Sequence, residues 1–196
     1  MVQPEFDEVV DRDHPLKGRW HEEFFGNDNP IVLELGCGRG EYTVALAALN
    51  PDINYVGVEI KGARMWRGAK TAHEAGMKNA ALLRTRREFI SSLFDHEEVD
   101  GIWITFPDPQ LKKQRAKKRL TSPDFLAQYA GFIKKGGDLN LKTDSQFLHE
   151  YTKAVIEKNG LPVEVCNNDI YGTGFASGEL LIRTAYEERF LKEGLK

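Results

Sequence analysis

"IVLELGCGRGEYTVALAALNPDINYVGVEI", residues 31–60, decides the fold. "IVLEL" (31–35) is a short run, apolar but for Glu34, and reads as a strand. The turn "GCGRG" (36–40) follows, then a helix-length stretch through "YTVALAAL", then a second strand, "INYVGVEI" (53–60). Strand, glycine turn, helix, strand is the opening unit of a parallel sheet. Runs that are apolar without alternation suit strands buried on both faces.

The same rhythm continues along the chain. A helical stretch reaches Gly76, "AALL" (80–83) reads as a third strand and "GIWITF" (101–106) as a fourth. Ser122 and Pro123 open a helix whose apolar face carries Phe125, Leu126, Tyr129, Phe132 and Ile133, and Gly136-Gly137 closes it. "DLNLKTD" (138–144) is a fifth strand, a helix runs from Ser145 to Asn159, and "VEVC" (163–166) and "ELLIRTAYE" (179–187) read as the last two strands. The expected fold is α/β: a seven-stranded, mostly parallel, Rossmann-like sheet with helices on both faces. Residues 1–30 lack this rhythm and read as an N-terminal extension to a domain over 31–196.

Composition narrows the function classes. The 196 residues carry 27 Lys+Arg against 30 Asp+Glu, and 41% are hydrophobic, as in soluble globular chains. No apolar run has the length of a membrane span, and the charged start does not resemble a signal peptide. Cys37 and Cys166 lack the spacing of a disulfide framework or a zinc site. These features predict a cytoplasmic protein with no metal and no membrane partner.

Ligands of such sheets bind at the carboxyl ends of the strands, where the singled-out residues cluster. Gly36, Gly38 and Gly40 let the backbone turn sharply and approach a ligand. Glu59 ends the second strand, where a carboxylate accepts both hydroxyls of a ribose. A dinucleotide site prefers G-x-G-x-x-G, whereas the spacing here is G-x-G-x-G with Glu34 two residues before it. That carboxylate repels a pyrophosphate and suits an ammonium and a sulfonium, so the cofactor expected is S-adenosylmethionine.

Beyond the fourth strand lies "FPDPQLKKQRAKKRL" (106–120). Asp108 stands between two prolines, and Lys112, Lys113, Arg115, Lys117, Lys118 and Arg119 follow without an acid from 109 to 123. A basic loop at this face of the sheet, on a mildly acidic chain, points to nucleic-acid phosphates.

The sequence resembles the bacterial tRNA (guanine-N7-)-methyltransferases over about residues 30–190, through "LELGCGRG", "GVEI", "FPDPQLKKQRAKKRL", "KTD" (142–144) and "TAYEERF" (184–190). The resemblance implies a class I methyltransferase fold and transfer of a methyl group from S-adenosylmethionine to N7 of the variable-loop guanine, position 46 of tRNA. It implies that Glu34, Glu59 and the Arg86 position contact the cofactor and that Asp108 serves both cofactor and chemistry. Lys112, Asp144, Thr184, Ala185, Tyr186 and Glu187 would hold the substrate guanosine. On their own terms, Asp144 or Glu187 suits the N1–H and N2–H donors of guanine, and Tyr186 an exposed base. Equally, Asp144 reads as a helix cap, Tyr186 as core and Lys112 as a solvated charge.

The chain departs from the family pattern at three places. Gln110-Leu111 replaces Trp-Pro, Arg115 replaces a His, and Arg86 stands where an Asp or Asn recognises adenine. Arg86 offers no side-chain acceptor. The rival readings are a methyltransferase of another substrate and a non-catalytic RNA-binding module.

Overall fold

The computed structural model describes residues 13–193. In chain order the elements are β1 (Ile31–Leu35), α1 (Glu41–Leu49), β2 (Asn54–Glu59), α2 (Gly62–Glu74), β3 (Ala80–Arg84), β4 (Val99–Thr105), α3 (Pro123–Tyr129), β5 (Ile133–Lys142), α4 (Gln146–Lys158) and α5 (Ala185–Lys192). The sheet runs β3-β2-β1-β4-β5. β1 pairs in parallel with β2 and β4, and β2 with β3. The strand order reverses between β1 and β4, the switch point of a doubly wound sheet.

The apolar runs are buried as their composition requires. Ile31, Leu33, Val56, Leu83, Ile102 and Ile104 are inaccessible. Register sets Leu33 opposite both Val56 and Ile102, so one stack of aliphatic side chains crosses three strands. α1 and α2 pack on each other and along β2 and β3.

Residues 13–30 are not separate from this core. A π-helical turn, Trp20–Phe25, buries Trp20 completely. Its ring stacks on Phe94 at 5.4 Å, and its indole N–H donates to the Leu93 carbonyl at 2.9 Å. Glu98 accepts the backbone N–H groups of Gly18, Trp20 and Asp95. Residues 1–12 of the expected extension lie outside the described residues.

Four expectations are corrected. The sheet has five strands among the described residues, not seven. "VEVC" (163–166) is irregular: Val163 and Val165 are 54% and 61% exposed, and four alternating residues make no strand without a partner edge. "ELLIRTAYE" divides into a 3₁₀ turn, Gly178–Leu181, and the start of α5. The carbonyls of Leu180 and Ile182 are taken by the Lys142 ammonium instead of a ladder, and the Thr184 side chain caps α5 by accepting the Glu187 N–H. The helix opened by Ser122 ends at Tyr129, and Gly136-Gly137 lies inside β5. The Phe132 carbonyl accepts the N–H groups of Glu98 and Val99, which draws the chain into the sheet from Ile133.

The chain forms two compact units, Met1–Thr105 with Ala127–Leu141, and Phe106–Leu126 with Lys142–Lys196.

Candidate active site

In the first unit the glycine turn and the acid ending β2 meet. Gly36, Gly38 and Gly40 all adopt positive φ, the left-handed region that side chains avoid. Gly40 is also crowded: a Cβ there would lie 3.2 Å from the Leu82 methyls and 3.4 Å from the Gly68 Cα. Glu59 accepts the Gly38 N–H at 3.2 Å on one oxygen and the Lys61 N–H at 2.9 Å on the other. Each oxygen keeps a lone pair for a further donor. The carboxylate is partly exposed, so a ligand hydroxyl could reach it.

Glu34 stands differently. It is 1% exposed, with one oxygen bonded by the Thr43 hydroxyl and the other by the Thr105 hydroxyl at 2.5 Å. Burial pushes its pKa up against the opposing pull of those hydrogen bonds. The side chain ties β1 to α1 and β4 underneath the glycine turn. Gly57 makes room for this bracket, since a Cβ there would fall 2.5 Å from the Thr43 hydroxyl oxygen.

Arg86 is exposed and precedes the 3₁₀ turn Arg87–Ser92. Its neighbour Thr85 is 5% exposed and its hydroxyl has no hydrogen-bond partner. A buried polar atom left without a partner is unusual, and here it lies one residue beyond β3. A positive-φ glycine turn, a strand-end carboxylate with spare acceptor capacity and this hydroxyl fit an adenosine. The sequence reading passed over Thr85, whose only signal is its place next to Arg86.

In the second unit Asp108 is exposed at the centre of a constrained turn. Phe106 and Gln110, which flank it, have φ of 45° and 47°, rare for residues with side chains. The Asp108 carboxylate accepts the Gln110 N–H at 2.9 Å. Arg119 donates to the Pro109 carbonyl at 3.2 Å and to the Gln110 carbonyl at 3.0 Å. Its guanidinium lies 4.8 Å from the Phe147 ring and 4.3 Å from the Tyr151 ring. Arg119 is 5% exposed, so it differs from its expected place among the phosphate contacts: it pins the Asp108 turn from inside. Lys112, Lys113, Arg115, Lys117 and Lys118 remain exposed, the last four on a 3₁₀ turn, Lys113–Lys118.

Asp144 and Tyr186 come together, the Tyr186 hydroxyl donating to the carboxylate at 2.8 Å. Ser145, not Asp144, caps α4, which frees Asp144 for this contact. Tyr186 is 43% exposed on a helix, between Phe106 at 5.5 Å and Phe190 at 4.5 Å. Partial burial and the Asp144 contact push its pKa up to about 12. Thr184 caps α5 and Ala185 is its first residue.

Glu187 is 4% exposed and points inward. It pairs with the Lys142 ammonium at 2.9 Å and accepts the Tyr171 hydroxyl at 2.6 Å. Lys142 also donates to the Leu180 and Ile182 carbonyls, and burial holds its pKa below the ordinary lysine value. The sequence assigned no role to Tyr171, or to Lys142 beyond its place in "KTD". A lone lysine at a strand end carries no signal of burial.

A doubly wound parallel sheet with a glycine turn, a strand-end carboxylate and a long basic loop after β4 that begins with Asp108 has the form of a nucleoside-cofactor enzyme of the methyltransferase class. A family model described as "Putative methyltransferase" matches residues 28–196. The chain is 50% identical to the tRNA (guanine-N(7)-)-methyltransferase of Christiangramia forsetii, over 99% of this chain and 87% of that one. It is 56% identical to the enzyme of the same name from Porphyromonas gingivalis, over 92% and 74%, and 55% identical to that from Bacteroides fragilis, over 92% and 71%. The chain belongs to the tRNA (guanine-N(7)-)-methyltransferase family. Among solved structures, an antibiotic-related methyltransferase superposes with a TM-score of 0.59 at 19% identity, covering 86% of this chain and 84% of that one. The aminoglycoside resistance methyltransferase NpmB1 superposes with a TM-score of 0.54 at 18% identity, covering 86% and 83%. These two likenesses concern the fold.

Proposed function

We propose that this chain methylates N7 of a guanine in tRNA, the variable-loop guanine at position 46, with S-adenosylmethionine as donor, in the cytoplasm. The observation that carries the reading is the Asp108 turn, locked between two left-handed residues and running into an exposed basic turn, in a chain of this family. No helix among the described residues is long and apolar enough to cross a membrane, and none of their side chains cluster as a metal site. Residues 31–196 carry the methyltransferase domain, and residues 13–30 of the N-terminal extension pack onto its core.

Bound S-adenosylmethionine supplies a methyl group on a positively charged sulfur. Glu59 takes the ribose hydroxyls, the backbone of Gly36, Gly38 and Gly40 admits the ligand closely, and Glu34 holds that turn in shape from below. Thr85 and the main chain at Arg86 serve the adenine end. Asp144 accepts from the guanine edge, Tyr186 packs against the base, and Thr184, Ala185 and Lys112 complete the substrate contacts. Glu187 acts at one remove, by fixing Lys142 and the segment that leads into α5. Lys113, Arg115, Lys117 and Lys118 meet tRNA phosphates.

Guanine N7 carries a lone pair and no proton at neutral pH. Nothing has to be deprotonated, so the work of the protein is alignment and electrostatic support as positive charge moves onto the purine. Asp108 does this as a carboxylate. Asp108→Asn is therefore expected to lower the single-turnover methylation rate on the order of a hundredfold while tRNA affinity stays near that of the wild type. The wild-type rate is expected to be flat from about pH 6 to about pH 9, because N7 has no proton to give up. A rate that climbs tenfold per pH unit there, and stops climbing in Asp108→Asn, would make Asp108 a base and overturn this role. A wild type that binds tRNA without methylating it would leave only an RNA-binding module.

A further inference from the structure

A second concentration of positive charge lies outside the Asp108 loop. Residues 61–87 hold eight Lys and Arg against one acid, Glu74. The rest of the chain then has 19 basic against 29 acidic residues (27 less 8, 30 less 1). α2 carries the centre of this patch. Met65, Gly68 and Ala72 form its buried face. Arg64, Arg67 and Lys70 follow one another at a spacing of three on the exposed side, together with Trp66, which is 59% exposed.

Folding does not ask for these cations. Lys61 occupies the N-cap of α2 and Arg64 its first turn, where no acid is present. Both sit at the positive end of the helix dipole, the end that disfavours them. Lys70 has an exposed partner, Glu74, at 3.6 Å. Among the described residues Lys61, Arg64 and Arg67 form no ion pair. A cluster that repels itself, opposes its helix dipole and has almost no internal counter-charge is suited to an external polyanion.

Trp66 refines the kind of polyanion. Its ring stands among the cations with the Lys70 ammonium 5.4 Å from its centroid. A large exposed aromatic set in a phosphate-binding charge pattern suits an unstacked base. We propose that the exposed face of α2 is a second RNA-binding surface, on which Arg64, Arg67 and Lys70 meet phosphates of the tRNA and Trp66 packs on an exposed base. This rests on tRNA being the substrate. It shares no residue with the Lys113–Lys118 turn.

The test is tRNA binding from about 50 to about 300 mM salt, with methylation assayed on the same preparations. The proteins compared are the wild type, Arg64→Gln/Arg67→Gln/Lys70→Gln and Trp66→Ala. Glutamine keeps helix propensity and removes charge. The triple variant is expected to bind tRNA at least about tenfold more weakly at low salt, with a log K against log salt slope shallower by about 2 to 3. Its S-adenosylmethionine affinity and its rate at saturating tRNA should match the wild type. Trp66→Ala should weaken binding with the slope unchanged, because stacking releases no counterions. If the wild type neither binds nor methylates tRNA, the proposed function itself fails. If the wild type does both and the triple variant keeps its affinity and slope, the α2 surface is an ordinary solvated face or the seat of a different partner, and this inference is overturned.

Discussion

In Met1–Thr105 with Ala127–Leu141, position is carried by backbone ladders and close approach. β1, β2, β3 and β4 pair residue by residue, and the glycine turn is set by three positive-φ glycines, of which Gly40 is crowded by Leu82 and Gly68. In Phe106–Leu126 with Lys142–Lys196, long stretches have no ladder at all. There, single polar side chains hold the chain: Arg119 on the Asp108 turn, Lys142 on the segment from Leu180 to Glu187, Thr184 at the start of α5. A ladder spreads its stabilisation over many weak bonds, so it tolerates most changes. A side-chain pin concentrates it, so one substitution removes several contacts at once.

The contrast can be broken most sharply at Lys142. Lys142→Met strands the buried Glu187 carboxylate and two carbonyls, and is expected to cost about 3–5 kcal/mol, measured by urea unfolding. Adding Glu187→Leu should recover much of that loss, since an apolar pair leaves no buried charge unpartnered. A single variant as stable as the wild type would remove the pin from the account.

Gly57→Ala probes the other unit. Its Cβ would meet the Thr43 hydroxyl at 2.5 Å and a Leu82 methyl at 2.6 Å, so a loss of about 1–3 kcal/mol is expected, with weakened S-adenosylmethionine binding as the turn shifts. Urea unfolding reads the first and calorimetric titration of the donor the second. An undisturbed affinity would show that the bracket beneath the turn yields easily.

Arg119→Lys is the mildest test and separates pinning from phosphate contact. Lysine keeps the charge but loses the fork and the stacking on Phe147 and Tyr151. A stability loss of about 1 kcal/mol is expected, together with a lower kcat and an unchanged salt slope for tRNA. A flatter slope with intact kcat would return Arg119 to the phosphate set.

The same contrast explains what was legible in the sequence. β1 to β4 were placed within a residue or two because strands buried on both faces are continuous apolar runs. The glycine turn, Glu59 and Asp108 were legible because they follow directly from those strand ends. The second unit hid its structure. "VEVC" alternates like a strand, but alternation without a partner edge specifies nothing. "TAYE" carries a Thr three residues before a Glu, a helix-start pattern that was available and went unread in favour of the apolar run before it. Which cation of a basic run turns inward depends on what lies beneath it. Only the buried stretch Arg119, Leu120, Thr121, Ser122 reveals that it is Arg119.

Trp20 separates two boundaries that are easily treated as one. The match to the family model begins at residue 28, yet the packed core extends upstream of it. A chain begun at residue 28 would lose the indole stacked on Phe94 and the two N–H groups that Glu98 accepts from Gly18 and Trp20. Deleting a buried aromatic of this size costs about 3–5 kcal/mol, a large part of the stability of an ordinary domain. Residues 13–27 thus act as an intramolecular plug, and the segment that the family model matches is shorter than the packed core.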